Sequence, residues 1–362
     1  MHGMVSYFLR RLLLIPVTFV CITFIVYATM RLTPGGPIEQ AQQELQHSEE
    51  GGGGGADRFG SSGGQLPKEA LEQLQRHFKL NRSIPVGYLI WLGVWPDRDN
   101  SGRFSGVVQG NLGRSYRWSD PVLDVIADKL SVSIYFGLCG FFATWLVCIP
   151  LGVQKAIHHR SMFDTGSSLI VFVGYAIPGF VASLVLLLLL ATDLGWSLLP
   201  LGRFRHEDWN DWWAAGQYWR CIKDQLQHTL IPIAGYLIGG FATMTILMKN
   251  SLLDNLGADY VRTAFAKGLP ERRVLFVHAL RNSLIPLAVS AGHVLSLLFA
   301  GSFLIERTCN IDGMGLLGLE SLLWRDYMVS MGVLVFVVLI HLVGNLLSDL
   351  LLALVDPRVR FK

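Results

Sequence analysis

The chain has 362 residues, 51% of them hydrophobic and only 16% charged, with a mean hydropathy of +0.42. That balance is too apolar and too charge-poor for a soluble globular domain and marks a polytopic membrane protein. A net charge of +3 is too small to indicate nucleic-acid binding, and five cysteines without a CxxC pair speak against a zinc site or disulfide framework.

Apolar runs lie in chain order at about 12–30, 131–153, 166–191, 229–248, 283–305 and 331–354, each near the roughly 20 residues a helix needs to cross hydrocarbon. They predict an all-α protein with six transmembrane helices and both termini on one side of the membrane. The first run follows Arg10-Arg11 and is too long, with no small-residue cleavage site, to be a removable signal. Residues 1–30 therefore read as an N-terminal anchor helix. Residues 31–130 form a long outer (periplasmic) loop or small subdomain, in which the Gly-rich segment 49–64 cannot bury a core and reads as flexible. Leu71, Leu74, Phe78 and Leu80 then recur at helical spacing, predicting a short amphipathic helix over 67–80. The transmembrane core spans 131–355, with an inner loop at 249–282 and a tail at 356–362.

Charge sets the orientation. With the N-terminus in the cytoplasm, the inside segments hold 13 Lys+Arg against five acids, whereas the outside loops hold 17 against 21. Nine of the ten tryptophans then fall outside, as in an interfacial belt at the outer leaflet. Cys21, Cys139 and Cys148 lie in apolar runs as small buried hydrophobes. Cys221 and Cys309 lie between runs, where free thiols and a disulfide are both compatible with the loop lengths.

Catalytic signatures fail on context. Gly313-Met-Gly315-Leu-Leu-Gly318 fits GxGxxG but follows no strand, and Gly60-Ser-Ser62-Gly-Gly64 fits GxSxG in low-complexity sequence. No phosphate loop and no HExxH is present. The chain reads as a non-catalytic membrane subunit, and any ATP chemistry belongs to a partner.

The inner loop is the most informative stretch. Residues 259–267 favour helix, and Gly268 followed by Pro270 is a stop signal. Tyr260, Ala264 and Lys267 or Gly268 share one face, whose small residues suit another protein's groove. A basic helix held against anionic membrane lipid fits the same pattern.

The segment 260–268, with His278-Ala-Leu-Arg-Asn282 and Leu284-Ile-Pro286, resembles the EAA loop of ABC importer permeases in its dipeptide and oligopeptide form. The resemblance extends along nearly the whole chain through Thr33-Pro-Gly-Gly-Pro37, Asn111-Leu-Gly113 with Ser115 and Pro121-Val122, Ala176-Ile-Pro178, Arg325-Asp-Tyr327 and Asp356-Pro-Arg358. The long outer loop and residues 239–250 are most similar to the B-type permeases of Yej (microcin C and oligopeptide) importers. The departures are Arg262 where the general pattern is acidic, the pattern's proline displaced to Pro286, Asp312 where Pro usually precedes Gly313, and Met328 where Pro usually follows Asp-Tyr. The resemblance implies a type I ABC importer transmembrane subunit in the bacterial inner membrane that moves peptides or peptide-like compounds, microcin C type included. It implies a second homologous permease, ABC ATPase subunits that carry the ATP and magnesium, and a periplasmic substrate-binding protein. On the matching positions, Tyr260, Arg262, Thr263, Ala264, Ala266, Lys267 and Gly268 are the ATPase-coupling residues.

Polar groups at membrane depth are costly and commonly face a bundle interior or a wet cavity. Ser290 and His293 on the fifth run, and His341, Asn345 and Asp349 at four-residue intervals on the sixth, are pathway-lining candidates. Asp349, near the inner end, also suits an ion pair with a cytoplasmic Arg. The competing function is an ion-coupled secondary transporter with His293, His341 and Asp349 as a proton relay, against which stands the lack of an evident repeat of broken helices.

Overall fold

The computed structural model describes residues 2–33, 82–97, 102–291 and 301–355. The Gly-rich segment, the expected helix at 67–80, His293 and the tail 356–362 lie outside the described residues. The helices are α1 (His2–Leu32), α2 (Ile84–Leu92), α3 (Val122–Ile157), α4 (Met162–Ala176), α5 (Gly179–Leu190), α6 (Trp209–Ala214), α7 (Tyr218–Leu256), α8 (Asp259–Ala266), α9 (Glu271–Ala291), α10 (Phe303–Thr308), α11 (Met314–Leu323) and α12 (Tyr327–Val355). Two isolated β-bridges are the only strand-like pairings among the described residues.

Among the described residues, five helices are long and apolar enough to cross a membrane, and α4 with α5 makes a sixth crossing only as a bent pair. The expected third span is thus two helices meeting at 96°. Pro178 lacks an N–H and pushes the residue before it out of the helical region, and Ile177 sits at φ −92°, ψ 119°. Pro16, Pro150 and Pro232 lie inside unbroken helices. The fifth expected span also differs: α9 begins at Glu271 rather than near 283 and winds through a π-helical turn at Val274–Ala279. Its expected outer end falls in the separate helix α10, which follows Gly301 in the left-handed region at φ +77°.

The chain forms two compact units. One comprises residues 1–13, 128–317 and 339–362; the other comprises 14–127 and 318–338. In the first, one apolar cluster joins α3, α7, α8 and α9 through Cys148, Met248, Leu252, Val261, Val274 and Leu287. A second joins Phe136, Leu187, Ile231, Ile305, Cys309 and Ile311. Cys221 and Cys309 are both free and buried, so the disulfide alternative falls; the Cys221 thiol donates instead to the Trp209 carbonyl. At the Asp312 departure, Asp312 pairs with Lys129.

In the second unit, Tyr88 and Trp91 of α2 pack on Tyr27 of α1 with ring centroids 5.7 and 6.1 Å apart, and the Thr23 and Tyr88 hydroxyls lie 2.8 Å apart. The loop before α3 closes on the start of α12. Asp326 Oδ2 accepts the Ser115 hydroxyl at 2.6 Å and the Tyr116 and Arg117 N–H groups at 3.0 and 3.3 Å, while Oδ1 accepts the Val329 N–H at 3.2 Å. Val122, Ile126 and Leu112 pack under Gly332, and Met328 covers Gly113. Two motifs some 211 residues apart in sequence are therefore halves of one clasp, and Met328 fills the family's proline position by packing.

Candidate coupling surface and membrane-embedded polar groups

Helix α8 carries Asp259 in its first turn, where a carboxylate favours a helix N-terminus, and ends as expected with Gly268 at φ +75°. No heavy atom lies within 4 Å of a Cβ built on Gly268, so glycine is required there by backbone conformation and not by space within this chain.

The orientation of α8 corrects the expected docking face. Ala264 is 7% exposed and Val261 is fully buried, and both join the inner apolar cluster with Tyr260 packed against it. The Tyr260 hydroxyl donates to Asn255 Oδ1 at 2.6 Å, tying α8 to the last turn of α7. Tyr260 and Ala264 therefore brace the helix from within. The outward surface includes Asp259, Arg262, Thr263, Phe265, Ala266, Lys267 and Gly268. Phe265, 47% exposed, was not among the residues expected from the sequence; its signal is an aromatic side chain off the apolar stripe of a short helix.

The platform under α8 is firmly tied. The buried Ser251 of α7 donates to the Ser283 carbonyl at 2.9 Å, and the Ser283 hydroxyl, which donates to the Ala279 carbonyl at 2.8 Å, lies 3.3 Å from the Ser251 carbonyl. The π-turn of α9 packs beside α8 through the buried Val274; such turns are rare and recur at functional positions. The end of α7, α8 and the start of α9 thus form one body with an exposed face.

A charged node that sequence reasoning missed lies nearby. Lys249 of α7 donates to both oxygens of Asp164, at 2.7 and 2.8 Å. Lys155, 1% exposed at the end of α3, lies 3.3 Å from the same carboxylate and donates to the Asp164 carbonyl and to the Ser167 and Ser168 hydroxyls. Ser161 caps α4 by accepting the Asp164 N–H at 3.3 Å. Periodicity gives no hint of this cluster, since its members come from three helices.

The other candidates do not converge. Asp349 forms an ion pair with Arg11, and the Arg11 guanidinium also reaches the Asn345 carbonyl; this is the structural role the sequence allowed. His341 is exposed on α12, and Ser290 spends its hydroxyl on the Leu287 carbonyl at 2.8 Å. Outside the spanning helices, burial pushes the Glu306 carboxyl up to about 7, while it accepts the Leu316 N–H at 2.7 Å at the start of α11. Around α6, Trp209 and Trp213 stack at 5.2 Å, Arg205 lies 4.5 Å over Trp209, and Arg220 lies 3.9 Å over Trp212.

Comparison with known proteins places this architecture. Residues 148–361 match the family described as "Binding-protein-dependent transport system inner membrane component". The peptidoglycan transport system permease protein YejB of Agrobacterium fabrum is 34% identical, covering 99% of this chain and 98% of that protein. The inner membrane ABC transporter permease protein YejB of Escherichia coli O157:H7 is 33% identical, covering 99% of each chain. The oligopeptide transport system permease protein AppB of Bacillus subtilis is 31% identical over 99% of this chain and 100% of that one. Among solved structures, an inward-facing MetNI methionine ABC transporter aligns with TM-score 0.48 and 13% identity, covering 65% of this chain and 97% of that chain.

Proposed function

This chain belongs to the family of binding-protein-dependent transport system inner membrane components, and on that premise we propose that it moves peptides or peptide-like compounds as one of two homologous permeases in an ATP-driven importer. The family assignment replaces the ion-coupled alternative, and Asp349 of the supposed relay is engaged by Arg11. Peptide cargo is supported by relatives over the whole chain whose names specify oligopeptides, dipeptides or peptidoglycan.

In this reading both termini and α8 face the cytoplasm, as the charge asymmetry favours. A partner ATPase, which holds ATP and magnesium, receives the outward face of α8, and a periplasmic binding protein delivers the peptide. The single observation that carries the mechanism is the seating of α8: its inner face is locked to α7 and α9 while Arg262, Phe265, Ala266 and Lys267 face outward. A push on that face moves the α7–α9 platform as a body, and rigid-body motion of this kind alternates access across the membrane.

The test is uptake of labelled tri-alanine into proteoliposomes holding both permeases, the ATPase and the binding protein. Uptake driven by internal ATP and unaffected by an uncoupler is the expected result. Uptake that continues without ATP on an imposed pH gradient refutes the proposal.

A further inference from the structure

Helix α4 lies along α7 with most of its side chains exposed. Of its 15 residues only Asp164 and Val171 are buried, while Met162, Leu169, Ile170 and Tyr175 are 62% to 89% exposed. Attachments to α7 lie at its N-terminal end and just past the bend at its C-terminal end. At the N-terminal end Lys249 of α7 grips both oxygens of Asp164. At the C-terminal end the bend at Pro178 leads into Gly179, which lies so close to the Gly235 carbonyl of α7 that a Cβ on Gly179 would overlap it. Lys249 and Gly235 are about 21 Å apart along α7 at roughly 1.5 Å per residue, which is about the length of α4. Helix α4 is thus a strut lying along α7 between two attachments.

Between those attachments α7 contains Gly239-Gly240. A Cβ at Gly239 would meet nothing within 4 Å, and one at Gly240 would meet only Thr144 Cγ2 at 3.7 Å. Helices bend at such weakly packed small pairs. Below them, Lys249 lies on the same stretch of α7 that Ser251, Leu252 and Asn255 tie to α8 and α9. Any displacement of α8 therefore carries Lys249 with it, and Lys249 carries Asp164.

We propose that Lys249, Asp164 and Lys155 are a positioning linkage that makes the start of α4 follow the α8 platform, so that the bend at Pro178 changes angle with each movement of the coupling helix. Lys155 holds the other side: its bonds to the Asp164 carbonyl, Ser167 and Ser168 seat the first two turns of α4 on α3. His159 Nδ1, 3.4 Å from Asp164 Oδ2, is the remaining titratable neighbour of the carboxylate. The node holds two lysines against one carboxylate. Lys249→Met therefore leaves a one-to-one Lys155–Asp164 pair and cuts the link without stranding a buried charge, whereas Asp164→Asn would strand two.

The inference rests on the proposed importer function, and the experiment separates the two. The complete transporter, in nanodiscs and proteoliposomes, carries spin labels on p-acetylphenylalanine at Met162 and Leu194, which are 89% and 90% exposed. The label separation reports the angle at Pro178. Wild type and Lys249→Arg should shift between two separations when ATP and vanadate are added. Lys249→Met should keep one separation in both states, hydrolyse ATP, and lose at least tenfold in tri-alanine imported per ATP. A wild-type shift or wild-type coupling ratio in Lys249→Met overturns the linkage, as does ATP-driven wild-type uptake with no change in separation. Absence of ATP-driven uptake in wild type refutes the importer function instead. Should Lys249→Met not accumulate, Lys249→Gln serves with the same expectation. Failure of both to accumulate makes the node a folding anchor and overturns the proposal.

Discussion

Replacing Asp326 should open the clasp between the loop before α3 and the start of α12. Asp326 is 2% exposed and Ser115 is 4% exposed, so water cannot readily substitute for the lost carboxylate. In Asp326→Ala the Tyr116 and Val329 N–H groups lose their acceptor, whereas the Arg117 N–H keeps a fallback at 3.2 Å on Ser115 Oγ. Each orphaned group costs about 1–3 kcal/mol, which for two groups puts Asp326→Ala at roughly 2–6 kcal/mol. Asp326→Asn keeps one acceptor but turns an NH2 toward other donors, at a cost of about 2 kcal/mol. Ser115→Ala removes the 2.6 Å bond and the acceptor for the Trp118 N–H, and should cost about 1–2 kcal/mol. The assay is reversible unfolding of the purified protein in mixed micelles titrated with SDS. The expected order is Ser115→Ala, Asp326→Asn, Asp326→Ala, with the Ser115/Asp326 double variant falling short of additivity by about 1 kcal/mol. A stability of Asp326→Ala within about 0.5 kcal/mol of wild type, or strict additivity in the cycle, refutes the clasp.

Gly268→Asp should abolish ATP-driven peptide uptake while leaving the protein inserted. The left-handed backbone costs a non-glycine residue about 1 kcal/mol or more, and the surroundings within this chain are open, so the loss should appear in transport and not in yield; wild-type uptake in the vesicle assay refutes it. Glu306 makes stability depend on pH. Its folded value of about 7 lies above the ordinary 4.5, so its contribution is fully present below pH 4.5 and is lost as pH rises through 7. Wild type should lose on the order of 3 kcal/mol from this group between those limits, and Glu306→Gln should be flatter over the same range; equal slopes in thermal unfolding refute it.

What the sequence determined by itself is what depends on one helix at a time. Hydropathy over some twenty residues marks each crossing because hydrocarbon admits no unpaired backbone, and Gly268 ends α8 because few other residues tolerate its backbone. The family motifs were legible for the same local reason. The choice of neighbours belongs to the tertiary structure. Periodicity grouped Tyr260 with Ala264 on one face of α8, but packing against α7 and α9 turned that face inward and left Phe265 outside. Of the prolines in the second, third and fourth expected spans, only Pro178 breaks its helix, where Gly179 and Gly235 bring two backbones together. The Lys249–Asp164 and Ser115–Asp326 contacts join residues 85 and 211 positions apart. Buried charges and hydroxyls are tolerable only with a partner, and which residue becomes that partner is settled when distant helices meet.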